Sequence, residues 1–425
     1  METQCLAKGA ERSATLIGAS HRWKVLGAGV AANASFSAAA AGIPTTAVWM
    51  RSAYHLGNAE LGLVLGSMGL GLALSELPWG VATDRFGDRR VLVTGLVGTA
   101  LVLFFMMLAV VPSSGSAPTA TLLATAMCVA GLLGGSVNGS SGRAIMGWFK
   151  EGERGLAMSI RQTAVPMGGG IGASLLPWLA SSKGFGCVFG VLASMCLVSA
   201  AFALRWLHRP PHAEHAERPV TRASGPSQRG PLTDAGVWRV ALGIGILCVP
   251  QFAVLTFATV FLHDFAHVGT AGISFAMAAL QIGAMAMRVW SGRYTDRRGN
   301  RRAYLRGSTL VAAASFAVLA SAVMLGRGVP TAVVVAMVVV AGICISAWHG
   351  VAYAELATLA GPSRAGTALG MGNTVVYAGL FMAPLAIPHL LAASSWAGVW
   401  WAAGLLALGV YPLFPRPQTP RTGRR

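Results

Sequence analysis

Residues 80–90 read GVATDRFGDRR, and residues 292–302 read GRYTDRRGNRR. At a constant offset of 212 positions, the two stretches share two glycines, a Thr-Asp pair, the Arg that follows it and a final Arg pair. Each stretch lies between long apolar segments, which is typical of a duplicated membrane module. The sequence therefore predicts two related halves, each carrying one copy of this motif.

The composition is that of a membrane protein, because 54% of the residues are hydrophobic and only 11% are charged. Apolar segments of roughly 20 residues, enough to cross about 30 Å of hydrocarbon, recur along the chain. Continuous apolar runs indicate helices and exclude a barrel. We expect an all-α membrane protein with twelve transmembrane helices in two pseudo-symmetric six-helix halves. The predicted spans are 25–49, 59–82, 91–112, 119–147, 156–181, 184–207, 237–262, 270–290, 303–326, 331–357, 366–391 and 394–415.

The net charge of +18 is explained by membrane topology. With the amino terminus inside, 26 of the 32 Lys and Arg residues fall on the cytoplasmic side, three on the far side and three within spans. This asymmetry follows the positive-inside rule, so both termini are predicted to be cytoplasmic. We expect a monomer in the lipid bilayer of a bacterial cytoplasmic (inner) membrane, with no nucleic-acid partner.

The chain divides into two halves joined by a polar linker that is rich in Pro, His, Arg and Ser. No P-loop sequence is present, so nucleotide hydrolysis is not expected to drive the protein. No nucleophile–base set or metal-ligand spacing points to an enzyme, a cofactor or a metal site. The predicted regions are a cytoplasmic tail (1–24), an N-terminal half (25–207), a cytoplasmic linker (208–236), a C-terminal half (237–415) and a second tail (416–425).

Six plus six predicted helices, a central linker and a motif in the second-to-third helix loop of each half resemble the major facilitator superfamily of secondary transporters. The resemblance implies that the motif helps to hold the halves together on the cytoplasmic face. Asp84 would face the start of the eleventh span near Gly366, and Asp296 the start of the fifth near Gly155. The alternative is that the motif arginines only set the topology. The candidate gate residues are Gly80, Asp84, Arg85, Gly87, Arg89, Arg90, Gly292, Asp296, Arg297, Gly299, Arg301 and Arg302.

The resemblance implies secondary active transport of a small solute by alternating access, with protons as the expected coupling ion. Buried arginines favour an organic anion as substrate. Drug or metabolite efflux remains an alternative, although Val165 and Arg161 occupy glycine positions of the antiporter pattern in the fifth helix. An alternative of another class is a membrane sensor or scaffold that does not transport.

The repeat offset also relates charged residues inside the predicted spans. Adding 212 to Glu76 gives Arg288, and adding 212 to Arg143 gives Glu355. At 1.5 Å per residue, all four lie roughly 10 to 14 Å inward from the cytoplasmic loops. We predict that Glu76 pairs with Arg143, and Arg288 with Glu355. Each pair is either a static clamp or a contact that breaks, or exchanges protons, during transport.

The resemblance places a central cavity between the first, fourth, seventh and tenth helices. His349 lies near the expected bilayer midplane, where it could bind substrate or carry a proton, or simply form an interhelical hydrogen bond. Arg161 could bind an anionic group or extend toward the interface. For the amides, helix packing is the alternative to ligand binding. The candidate cavity residues are Asn33, Asn138, Arg161, Gln162, Gln251, Trp348, His349 and Tyr353.

Overall fold

A computed structural model describes residues 2–113, 117–208 and 230–416. The regular elements of these residues are helices, numbered here in chain order. Eight precede the linker and form the N-terminal half. They are α1 (Glu2–Gly42), α2 (Ala47–Ala53), α3 (Asn58–Phe86), α4 (Asp88–Ala109), α5 (Ala120–Gly134), α6 (Ser136–Trp148), α7 (Arg154–Ser182) and α8 (Phe185–Trp206).

The helices after the linker form the C-terminal half. They are α9 (Ala235–Asp264), α10 (Thr270–Arg298), α11 (Arg301–Leu325), α12 (Thr331–Ser346), α13 (His349–Ala360), α14 (Ala365–Ala393) and α15 (Trp396–Gly409). Eight helical segments in the described ranges are long and apolar enough to cross a membrane. The all-helical membrane fold is therefore confirmed.

The two halves pack on each other through two sets of helices. Helix α14 packs against α3 and α6, while α7 packs against α10 and α13. The apolar core of the C-terminal half also includes Ile145, Phe149 and Met158 from the N-terminal half. All three lie near the end of the molecule that carries the two loop motifs. The halves are therefore tightly joined at that end.

Two predicted spans, 119–147 and 331–357, are each divided into two helices. The first division is at Gly135, between α5 and α6, and the second is at Ala347 and Trp348, between α12 and α13. Gly135 and Ala347 are 212 positions apart. At Ala347 the backbone N–H bonds to the carbonyl of Cys344, a tight 3₁₀ turn within the span. The duplication therefore extends to the interruption of these helices.

The structure describes parts of the predicted tails and linker. Helix α1 begins at Glu2 and continues into the first predicted span, so it includes most of the segment predicted as a cytoplasmic tail at 1–24. Its Ala, Leu, Lys and Glu residues favour helix. The linker at 208–236 and the tail at 416–425 fall mostly outside the described residues. The described end of the linker forms a 3₁₀ turn at Pro231–Thr233 before α9 starts.

Candidate functional site

Each loop motif places an aspartate at the start of a helix in the opposite half. Asp84 accepts hydrogen bonds from the backbone N–H groups of Gly366 (2.9 Å) and Thr367 (2.7 Å) at the start of α14. Asp296 accepts bonds from the N–H groups of Gly155 (3.0 Å) and Leu156 (2.7 Å) at the start of α7. The first backbone N–H groups of a helix have no partner within the helix, and both these groups and the helix dipole favour a carboxylate there. These are the two helix starts that the resemblance implied.

Glycines allow the close approach that these contacts need. A Cβ atom on Gly80 would lie 2.5 Å from the carbonyl oxygen of Gly366, and one on Gly292 would lie 2.5 Å from that of Gly155. Two further motif glycines end their helices with positive φ, at +88° for Gly87 and +62° for Gly299. The glycines of the motif therefore have two roles, contact between the halves and helix termination.

The motif arginines have different surroundings. Arg301 donates to the carboxylate of Asp296 (2.9 Å) and to the carbonyl of Glu151 (2.5 Å) in the other half. Arg89 donates to the carbonyl of Leu204 within its own half. Arg302 contacts Glu355 and is described with the charge pairs below. The three remaining arginines of the motifs are exposed. These are Arg85, which lies over the ring of Phe86, together with Arg90 and Arg297.

The structure does not contain the predicted charge pairs. Arg143 instead contacts Asp88 (2.9 Å) and Asp84 (3.3 Å), and Glu355 contacts Arg302 (2.6 Å). Both side chains extend toward the nearby loop motif, where several opposite charges are available, rather than toward the equivalent membrane depth. The prediction of pairs with Glu76 and Arg288 was therefore wrong. Arg143 and Glu355 each contact opposite charges in the loop motif of their own half instead.

Glu76 is fully buried and bridges the halves through amides. Its Oε1 accepts a bond from Asn138 Nδ2 (2.6 Å) in its own half, and its Oε2 accepts one from Asn373 Nδ2 (3.1 Å) in α14. Tyr353 donates to Asn373 Oδ1 (2.6 Å), and Asn138 also donates to the hydroxyl of Tyr377 (3.1 Å). A continuous polar network thus crosses the interface.

Two buried arginines also lie at the interface. Arg161 is 1% exposed, and its Nη1 lies 3.2 Å from both Asn33 Oδ1 and Ser141 Oγ. Arg288 is 5% exposed and donates to the carbonyl of Gln162 (2.9 Å), the residue after Arg161. Within the described ranges no Asp or Glu forms an ion pair with either arginine, and the Nε of each has no hydrogen-bond partner.

Neither guanidinium has a carboxylate at ion-pair distance in the described ranges, although the buried Glu76 interacts electrostatically with Arg161. Buried charges without a directly bonded partner are costly to maintain. A guanidinium presents five N–H donors in a planar fork that suits carboxylate and phosphate groups. The pair therefore has the donor chemistry to bind an anionic group between the halves.

The remaining predicted cavity residues are also buried. Asn33 donates to Ser141 Oγ (2.8 Å) and so belongs to the surroundings of Arg161. Gln251 donates to Ser346 Oγ (3.3 Å), and its own carbonyl oxygen has no partner in the structure described here. Trp348 and His349 stack at 3.9 Å between ring centroids, at the interruption between α12 and α13.

Sequence reasoning missed Asn373 and Tyr377, two members of the network around Glu76. A signal for Asn373 was available, since subtracting 212 gives Arg161. The equivalent positions of α7 and α14 therefore both carry polar groups into the interface. Tyr377 has no such signal, because a tyrosine in an apolar helix more often serves packing than recognition.

Comparison with known proteins agrees with this architecture. The family model described as Major Facilitator Superfamily matches residues 29–384 and 267–425. The chain belongs to the Major Facilitator Superfamily. Within the superfamily, it is 27% identical over 407 residues to an uncharacterized MFS-type transporter of Mycobacterium tuberculosis, a match that covers 95% of this chain and 86% of the relative. The superfamily resemblance found in the sequence is thus confirmed.

Two further matches show how far the likeness extends. The glycerol-3-phosphate transporter of Bacillus subtilis is 35% identical over 120 residues, which is 28% of this chain and 26% of that protein. The solved structure of the proton:xylose symporter XylE bound to 6-bromo-6-deoxy-D-glucose has a TM-score of 0.73 at 16% identity, and covers 93% of this chain and 95% of that one. The second match shows a shared fold. The protein is therefore a multi-pass membrane transporter of this superfamily.

Proposed function

We propose that this transporter moves a small organic anion across the bacterial cytoplasmic membrane by alternating access of its two six-helix halves. The observation that carries the proposal is the pair of buried arginines, Arg161 and Arg288, which are contributed by opposite halves and form no ion pair with an Asp or Glu of the described residues. An anion that contacts both guanidinium groups would bind at the place where the halves meet. The partial match to a glycerol-3-phosphate transporter agrees with an anionic substrate.

The proposed topology has twelve spans with both termini inside, as the distribution of Lys and Arg indicates. In that orientation the joined end of the molecule is cytoplasmic. In that arrangement the contacts of Asp84 and Asp296 would close the cytoplasmic side and prevent substrate from leaving toward the cytoplasm. Alternating access requires these contacts to break, so we assign the two loop motifs to the cytoplasmic gate of a monomer.

Matched neutral and acidic ligands test the substrate class. Thermal unfolding of the purified protein would be measured with glycerol and glycerol 3-phosphate, with glucose and glucuronate, and with a lipophilic cation such as ethidium. A ligand that binds the native state raises the unfolding temperature, and at 100 times its Kd it contributes about 2.7 kcal/mol. We expect stabilisation by an acid and none by its neutral counterpart. Stabilisation by ethidium alone would instead support the drug-efflux alternative.

We further propose that Glu76 carries the coupling proton. Both of its carboxylate oxygens accept bonds from amides, one from each half, so adding a proton would remove an acceptor from the network that crosses the interface. Glu355, the other buried glutamate among the residues whose burial is described, is held by Arg302 and is less suited to this role. We expect Glu76→Gln to retain exchange of substrate at equal pH but to lose accumulation driven by a pH gradient. Unchanged gradient-driven accumulation would exclude Glu76 as the carrier.

A further inference from the structure

A long apolar groove on the outer surface of the N-terminal half lies away from the arginine site. Its volume is about 980 Å³, and helices α1, α4 and α8 supply most of its walls. Along α8 it extends from Lys183, just before the helix, to Phe202. Ala34 of α1 lies on one side and Met107 of α4 on the other. Nothing in the proposed transport cycle uses this groove.

The face of α8 around the groove is directed toward the bilayer. Val198 is 53% exposed and Phe202 is 37% exposed, and both line the groove. Leu197, beside them on the same helix, is 38% exposed. Large apolar side chains at this exposure in a membrane-spanning helix contact lipid. The groove therefore opens to the hydrocarbon region rather than to water.

The length of the groove is sufficient for an acyl chain of one leaflet. From Lys183 to Phe202 it follows 19 residues of chain, roughly 28 Å at the helical rise. The hydrocarbon core of both leaflets is about 30 Å thick, so the chain of an outer-leaflet lipid would cover about half of this length, starting from the Lys183 end.

A cation lies at one end of the groove. Lys183 is exposed, and it is one of only three Lys or Arg residues that the topology places on the outer side. A lysine at a membrane interface attracts anionic lipid headgroups. The groove thus has an apolar channel for an acyl chain and a positive charge at the depth of the headgroups.

We infer that this groove binds an anionic phospholipid of the outer leaflet, with its headgroup at Lys183 and an acyl chain along α8. The bound chain would lie against α1 beside Ala34, one residue from Asn33 of the arginine site. The lipid would therefore support the helix that supplies one wall of the substrate site.

Native mass spectrometry of the purified full chain provides the test. Delipidated protein would receive equal amounts of phosphatidylglycerol and phosphatidylethanolamine with identical acyl chains. We expect one retained lipid, with phosphatidylglycerol favoured about fivefold, the ratio that corresponds to a single lysine near the membrane surface. Lys183→Gln should remove this preference. Arg51→Gln, which removes another outer-side cation that does not line the groove, should leave it unchanged.

A second variant tests the groove itself. Ser194→Trp would fill the channel, and the Ser194 hydroxyl bonds only to the Gly190 carbonyl of its own helix, so the change leaves interhelical contacts intact. We expect Ser194→Trp to lose the retained lipid, while Leu197→Trp, outside the groove, keeps it. Retention of lipid by a folded Ser194→Trp protein, or an unaltered headgroup preference in Lys183→Gln, would overturn the inference. A protein dimer abolished by Ser194→Trp would also overturn it, in favour of a second copy.

Discussion

The gate formed by the first loop motif predicts a measurable shift between conformations when Asp84 loses its charge. In the closed arrangement, the Asp84 carboxylate accepts two backbone bonds from the start of α14 and lies 3.3 Å from Arg143. Asp84→Asn keeps one acceptor oxygen, loses one charge-assisted hydrogen bond and removes the ionic contact. Hydrogen bonds to charged groups contribute about 1.5–3 kcal/mol each, so the closed state should lose about 2 kcal/mol.

That loss corresponds to a change of about 30-fold in the equilibrium between closed and open states. An open population of about 1% would rise to about 20–25%. Spin labels on cysteines at Lys150 and Ser363, two exposed loop positions in opposite halves, would report the opening as a second, longer distance in pulsed electron resonance. The background protein for this experiment lacks its native cysteines.

The matched control is Asp264→Asn, which changes an exposed acid at the opposite end of the molecule. It should leave the distance distribution between the labels unchanged. If Asp84→Asn gave the same distribution as the unmodified protein, the reasoning that these two hydrogen bonds hold the halves together would be refuted.

Two other predictions concern the same end of the molecule. Gly80→Val should open the gate by at least as much as Asp84→Asn, because the valine side chain would meet the backbone of Gly366. The control Gly152→Ala, which has nothing within 4 Å of the added carbon, should have no effect in the same distance measurement. Reversal of Glu355 alone to Arg should destabilise the folded protein by about 3–5 kcal/mol through loss of its contact with Arg302, and the double reversal with Arg302→Glu should restore most of the unfolding temperature. A double variant no more stable than the single one would argue against that pair.

The duplicated motif allowed much of the fold to be predicted from the sequence. Its offset of 212 identified equivalent positions in the two halves, and the helix starts opposite Asp84 and Asp296 are those that the resemblance implied. Apolar length was enough to locate the helices because backbone groups in lipid must be satisfied internally. The interruption at Gly135 was not predicted, since the predicted span 119–147 contains no proline to mark a break.

The partners of buried charges could not be predicted in the same way. Sequence spacing gives the depth of Arg143 in the membrane, but a long side chain can reach a full turn toward either end of its helix. In the structure it extends to Asp88 rather than to Glu76. Glu76 in turn finds its partners in amides, whose neutral side chains carry no charge pattern to follow. Partner choice depended on helix rotation and packing, which periodicity alone does not fix.

The most direct test of the proposed anion site is exchange of labelled solutes in proteoliposomes. The panel contains glycerol 3-phosphate, glucuronate and glucarate, each compared with its neutral counterpart, for the unmodified protein and for Arg161→Gln, Arg288→Gln and the control Lys150→Gln. We predict that the unmodified protein exchanges an acid but not its neutral counterpart. Exchange of the acid should fall at least about tenfold in either arginine variant, as expected for loss of a charged hydrogen bond. The control Lys150→Gln should exchange the acid as the unmodified protein does. Equal exchange by the arginine variants, or equal exchange of the neutral counterpart, would contradict the assignment of Arg161 and Arg288 to an anion site.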